Sequence, residues 1–97
     1  MKFHIEILQT ATHDLQESYD WYEDQRAGLG DQFIREVDEY LKLISKNPYQ
    51  FAVQFSEKYR FALLRRFPFR IVYDIEENEN LVNVTAVFHT SRDPGRF

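Results

Sequence analysis

Apolar residues alternate with polar ones over residues 2–8, where Phe3, Ile5 and Ile7 are separated by His4 and Glu6. That period of two is what a half-buried β-strand requires, because successive side chains point to opposite faces of a sheet. The period then lengthens. Ala11, Leu15, Tyr19 and Tyr22 recur at helical spacing to about Arg26, flanked by Ser18 and Trp21, and Thr10 or Thr12 can cap the helix they predict. Gly28 can end that helix in the left-handed conformation, and Gly30 or Asp31 can begin another. Leu29, Phe33, Val37, Tyr40, Leu41 and Ile44 form the apolar stripe of a second helix, with Asp31, Arg35, Glu36, Asp38, Glu39 and Lys42 on its other face. Asn47-Pro48 stops it, since the residue before proline is pushed out of helical geometry. So short a connection makes the two helices an antiparallel hairpin.

After Pro48 the alternation returns to two. Phe51, Val53 and Phe55 are a first run and residues 60–66 a second. Phe69, Ile71, Tyr73 and Ile75 are a third, and Val82, Val84, Ala86 and Phe88 a fourth. Pro68 marks a tight connection, and residues 77–80 are a polar hairpin loop whose asparagines tolerate turn geometry. The expected architecture is α+β in the order β-αα-ββββ: an antiparallel helix hairpin on one face of a mostly antiparallel twisted sheet. At 97 residues this is one domain. Two helices cover one sheet face, which leaves the other to solvent or a partner. If Ile71 and Tyr73 point to the helices, Arg70 points away. If Val84, Ala86 and Phe88 point inward, His89 points outward, and Arg70 and His89 share the open face.

Nine Phe, six Tyr and one Trp supply core area from few positions. The absence of cysteine excludes disulfides and thiolate metal sites, and the three histidines lack ligand spacing, so no cofactor, metal or small-molecule ligand is implied. Gly28-Leu29-Gly30 lies between helices rather than after a strand, so it is no phosphate loop. Neither a signal peptide nor a membrane-spanning apolar run is expected, which points to a cytoplasmic protein.

Charge is uneven. The net value is −4, yet Lys58, Arg60, Arg65, Arg66 and Arg70 fall in one stretch that contains no acid. Acidic stretches flank it on both sides. Any anion-binding surface is built from that segment. An Arg–His combination suits phosphate chemistry, the arginine as a fixed bidentate cation and the histidine as a proton carrier near neutral pH. The same arginines also suit solubility and salt bridges to a partner. Tyr19 and Tyr22 belong to an apolar stripe, so the Tyr19–Trp21–Tyr22 cluster reads as core or partner contact before it reads as a base-stacking platform.

The ordered set Asp14-Leu15, residues 21–25, Gly28-Leu29-Gly30, Phe33, Asn47-Pro48, residues 65–73 and residues 87–94 resembles the RelE/ParE toxin superfamily, in particular its ParE-like, plasmid-stabilisation members. The resemblance implies the toxin of a type II toxin–antitoxin pair, a growth inhibitor neutralised by a cognate antitoxin. It implies one of two mechanisms. ParE-like members are associated with DNA gyrase inhibition and have no recognised catalytic centre. RelE-like members cut messenger RNA on the ribosome. Under the second, the resemblance makes Arg70 and His89 catalytic; under either, Arg60, Arg65, Arg66 and Arg92 are the candidate target- or RNA-binding residues. Thr90 stands where that branch has arginine or tyrosine, and the tail looks more ParE-like. A third reading is a degenerate homologue that only binds antitoxin.

Overall fold

The computed structural model describes residues 2–51 and 58–91. Strand β1 (His4–Ile7) leads into α1 (Gln9–Gln25) and α2 (Leu29–Lys46), followed by a short 3-10 turn at Pro48–Gln50. Strands β2 (Arg60–Leu63), β3 (Phe69–Glu76) and β4 (Leu81–His89) complete the described residues. The four strands lie in the order β1-β4-β3-β2, with β1 parallel to β4 and the other pairs antiparallel. The expected order of helices and sheet holds. Of the strand expected over Phe51, Val53 and Phe55, Phe51 comes after the 3-10 turn, and the rest lies outside the described residues.

The helices stop and start close to the expected places. Helix α1 already ends at Gln25, and α2 begins at Leu29 rather than at Gly30 or Asp31, with Gly28 as its N-cap. Strand β2 ends at Leu63, short of the expected run to 66. Gly28, at φ +90°, precedes α2, and Asn47 ends it ahead of Pro48. The β3–β4 loop closes on Asn80 in the left-handed conformation. Gly30 sits against α1 so closely that a Cβ would lie 2.7 Å from the Tyr19 carbonyl oxygen, which excludes any side chain there. The start of α1 differs from expectation. Leu8 occupies the cap position without a side-chain bond, because the Thr10 hydroxyl donates instead to the Thr85 carbonyl at 2.7 Å.

The main core lies between hairpin and sheet. Phe33, Val37 and Ile44 of α2 meet Phe69, Ile71, Tyr73, Val82, Val84 and Val87 of the sheet. Tyr22, Phe33, Phe67 and Phe69 pack ring against ring at centroid separations of 4.8–6.0 Å. Such contacts each add about 0.5–1.5 kcal/mol beyond area burial. The Tyr73 hydroxyl donates to the Pro48 carbonyl, and burial pushes its phenol well above the ordinary range.

The β3–β4 register breaks at one place. Val72 pairs with Ala86 and Tyr73 with Val84, so Thr85 is an extra residue on β4. A bulge of this kind reverses the side-chain parity of the strand beyond it. Val82 and Val84 face the helices as expected, but beyond the bulge Val87 and His89 do so, while Ala86 and Phe88 face away. The second face therefore carries its own apolar cluster of Phe61, Val72, Ala86 and Phe88, with Tyr59 packed on it. It is not the plain polar surface expected of an uncovered sheet.

The backbone freed by the bulge is taken up by α1. Besides the Thr10 bond, Asp14 accepts from the Val87 N–H at 3.1 Å with only 6% exposure. Asp14 and Ser18 are buried where the apolar stripe places Leu15 and Tyr19, which are half-buried instead. Asp14→Ala leaves the Val87 N–H without this acceptor and should destabilise by about 1–3 kcal/mol. In urea unfolding the midpoint should fall with an unchanged slope. Thr10→Val should cost about 1 kcal/mol or less, because Thr10 is exposed and its bond to the half-buried Thr85 is accessible to water.

Candidate functional site

The basic segment folds into the β2–β3 connection and the start of β3. The connection is tight: the Leu64 N–H donates to the Phe69 carbonyl, and the Phe69 N–H to the Phe67 carbonyl. What holds it is a buried carboxylate from α2. Glu36, 3% exposed, accepts from the backbone N–H of Arg66 and of Phe67 and lies 3.9 Å from the Arg66 Nε. The sequence pattern places Glu36 on the polar face of α2. The structure turns it inward because the connection's backbone donors need an acceptor there.

The five described arginine and histidine candidates divide into separate settings. Arg65 and Arg66 are exposed on the connection. Both lie beyond β2, which ends at Leu63, so strand parity does not decide where they point. Arg60 is half-buried and engaged within the fold. Its guanidinium donates to the Tyr49 and Phe51 carbonyls and stacks on the Tyr49 ring, clipping β2 to the segment after α2. Arg70 is half-buried, with its guanidinium 5.6 Å from the centre of the Phe61 ring on the sheet's second face. Arg92 lies outside the described residues.

His89 is the main correction. Directly opposed residues of an antiparallel pair share a face, and Arg70 pairs with Phe88 while His89 pairs with Phe69. Arg70 and His89 therefore project from opposite faces, not the shared face expected from unbroken alternation. The one-residue bulge at Thr85 is the cause. The His89 ring stands edge-on to Phe69 at 5.3 Å. Its Nδ1 lies 3.1 Å from the Ser91 backbone N and 2.7 Å from the Ser91 Oγ. Accepting the N–H at Nδ1 leaves Nε2 as the proton-bearing nitrogen of the neutral ring.

On the helix side, His89 borders a groove of about 750 Å³ between α1 and the ends of β3 and β4. Tyr22 and Phe69 are apolar surfaces of this groove, and Trp21 stands at it 58% exposed. Sequence reasoning missed the groove as a unit, although it singles out Trp21 and Tyr22. The signal was an unburied tryptophan beside a helix stripe. No group of three or more His, Asp or Glu able to hold a metal occurs among the described residues.

A family model described as "ParE toxin of type II toxin-antitoxin system, parDE" matches residues 5–94. The chain belongs to the ParE toxin family. It is accordingly a toxin of the ParE/RelE kind found in type II toxin–antitoxin systems. Among solved structures, the chromosomal ParDE system of P. aeruginosa aligns with a TM-score of 0.78 at 18% identity, covering 93% of this chain and 98% of the other. The toxin of the intact E. coli RelBE complex aligns at 0.71 and 15% identity, covering 93% of this chain and 99% of the other. That of the RelBE2 complex of Mycobacterium tuberculosis aligns at 0.66 and 18%, covering 92% and 99%. No curated protein matches in sequence. At these identities the structural matches speak for fold, and fold does not choose a chemistry. The RelBE and RelBE2 relatives were solved as toxin–antitoxin complexes. No helix among the described residues is long and apolar enough to cross a membrane.

Two carboxylates of this ParE-family chain yield measurable consequences. Glu36→Ala should cost about 2–3 kcal/mol by leaving the backbone donors of Arg66 and Phe67 without this acceptor. Hydrogen exchange of those amides should accelerate more than that of the core strands. Glu23 accepts from the backbone N–H groups of Gly28, Gly30 and Asp31, and these bonds, Gly28 first, hold its carboxyl below the ordinary value of 4.5. A depressed value means the contribution is fully present above 4.5 and is lost as pH falls through the lower folded-state value. Glu23→Gln should therefore flatten the acid side of the stability–pH curve below that point and leave its neutral and basic sides parallel to wild type.

Proposed function

We propose that this chain is a single-domain cytoplasmic toxin that inhibits growth by binding and blocking a protein target, without catalysis, until an antitoxin neutralises it. DNA gyrase is the target that ParE-family membership favours. The observation that carries this reading is the separation of Arg70 and His89 onto opposite faces of the sheet. A nuclease needs its charge stabiliser and its proton carrier converging on one phosphate, within hydrogen-bond reach of the reacting atoms. Blocking a protein requires only a complementary surface. Here Arg65 and Arg66, exposed on a braced connection, offer fixed positive charge to an acidic partner surface.

Ribosome-dependent messenger cleavage is the second reading. It has the exposed pair Arg65 and Arg66 in its favour as a backbone-phosphate contact. A degenerate homologue that binds only antitoxin is the third.

Induced expression without antitoxin should arrest growth, and purified protein should inhibit supercoiling by gyrase. The substitutions Arg70→Ala and His89→Ala then separate the first two readings. A catalytic Arg70 would cost about a hundredfold or more in cleavage rate when removed. On the proposed reading, primer extension on translated messages reveals no new ends after induction, and His89→Ala stays toxic. New message ends that vanish in both variants would replace it with the nuclease reading. Unaffected growth would leave the antitoxin-binding homologue.

A further inference from the structure

The charge of α1 is one-sided. Asp14, Glu17, Asp20, Glu23 and Asp24 lie within Gln9–Gln25, and the helix contains no lysine or arginine. Asp14 and Glu23 are turned to backbone donors of β4 and of the interhelical loop. Glu17, Asp20 and Asp24 are exposed, and with Trp21 they occupy positions i, i+3, i+4 and i+7. Residues at that spacing form one stripe on a helix surface. Trp21 is thus an exposed indole set in a row of carboxylates.

The same indole borders the groove. Trp21 meets Tyr22 edge-on at 5.2 Å, Tyr22 meets Phe69 at 6.0 Å, and Phe69 meets His89, so aromatic surface runs from the acidic stripe to the end of β4. Large aromatics that border a pocket are the usual anchors of a protein interface. We propose that this groove receives a basic amphipathic segment of the antitoxin. An apolar side chain of that segment seats against Trp21, Tyr22 and Phe69, while its lysines or arginines meet Glu17, Asp20 and Asp24. The inference rests on the toxin–antitoxin pairing in the proposed function and adds where the antitoxin docks and with what chemistry. Charge complementarity selects the occupant. An acidic segment or a nucleic acid would meet Glu17 in the groove itself and Asp20 and Asp24 beside Trp21 on the same helix stripe.

Trp21 is the chain's one tryptophan, so its emission reports on the groove directly. The full-length chain is titrated with the protein encoded in the adjacent reading frame, with fluorescence and acrylamide quenching followed together. Complex formation should shift the emission to the blue and protect the indole from quencher. By calorimetry, Trp21→Ala and, separately, Asp20→Lys with Asp24→Lys should each weaken binding about tenfold or more. The control pair Asp38→Lys with Glu39→Lys, on the outer face of α2, should leave binding within about threefold, as an uninvolved charge does. Circular dichroism establishes that each variant is folded. If Trp21→Ala is not, Trp21→Phe, which keeps the ring contact with Tyr22, replaces it and should weaken binding less. A complex that leaves Trp21 as open to quencher as in the free chain overturns the groove and leaves the pairing intact. Absence of any complex overturns both. Emission that shifts with the chain's own concentration, or on adding a single-stranded oligonucleotide instead of the antitoxin, assigns the groove to a second copy or to nucleic acid and overturns the proposal.

Discussion

At Thr85 strand β4 carries one residue more than β3 can match, and everything beyond that point presents the opposite face from the one alternation dictates. A bulge leaves ladder groups unpaired, and buried backbone groups without partners are costly. Here the first turns of α1 answer them. The Thr10 hydroxyl bonds the Thr85 carbonyl, and the Asp14 carboxylate takes the Val87 N–H. Strand β1 pairs with β4 only as far as Val84, so the helix next in the chain takes over that edge where the strand stops. The placement of α1 over the sheet, the apolar cluster on the second face and the position of His89 all descend from this single insertion.

The same solution recurs at the other two joints. Glu36 of α2 holds the backbone of the β2–β3 connection, and Glu23 of α1 holds the interhelical loop. In each case a carboxylate on a helix accepts from backbone N–H groups of a segment outside its own helical turn. A charged acceptor makes such bonds roughly twice as strong as neutral ones. Hydrophobic packing alone would fix the layers but leave the connections free to shift. These carboxylates fix the connections, including the one that carries Arg65 and Arg66. They also mean that part of the negative formal charge is spent inside the molecule. The outward acidic surface is consequently narrower than the composition implies, and the exposed carboxylates of α1 stand out more.

Most of the scaffold was legible because its signals are local. The stripe of α2, its stop at Asn47-Pro48, the left-handed Gly28 and Asn80, and the parity of β3 each depend on a few neighbouring residues. The bulge is not local in that sense, because it exists only relative to β3. Its trace is visible afterwards: Ala86, Val87 and Phe88 are three consecutive apolar residues, one more than alternation allows, and both faces bury them. Glu36 and Asp14 were illegible for a related reason. A carboxylate at a helical position reads as solvated unless the backbone donors that need it are known, and those come from residues distant in sequence. The candidate site was thus legible in its residue types and not in its geometry. Arg60 illustrates the gap: it belongs to the basic segment by sequence, yet its guanidinium donates to the Tyr49 and Phe51 carbonyls within the fold.

Parity also bears on what this fold can bring together on one face. Bringing His89 round to the face of Arg70 would require removing the inserted residue and shifting the distal half of β4 by one position. That shift would turn Phe88 from the second-face cluster toward the helices and turn Val87 out of the main core, where it is fully buried. It would also undo the match between Asp14 and the Val87 N–H. The arrangement that separates the two candidate catalytic groups is therefore the one that the packing of α1 and both apolar clusters stabilise. A single insertion between two residues of suitable type sets their faces apart, and the proposed function rests on that separation. A surface that only has to bind is indifferent to that separation, and this is the physical ground for preferring a blocking toxin to a cutting one.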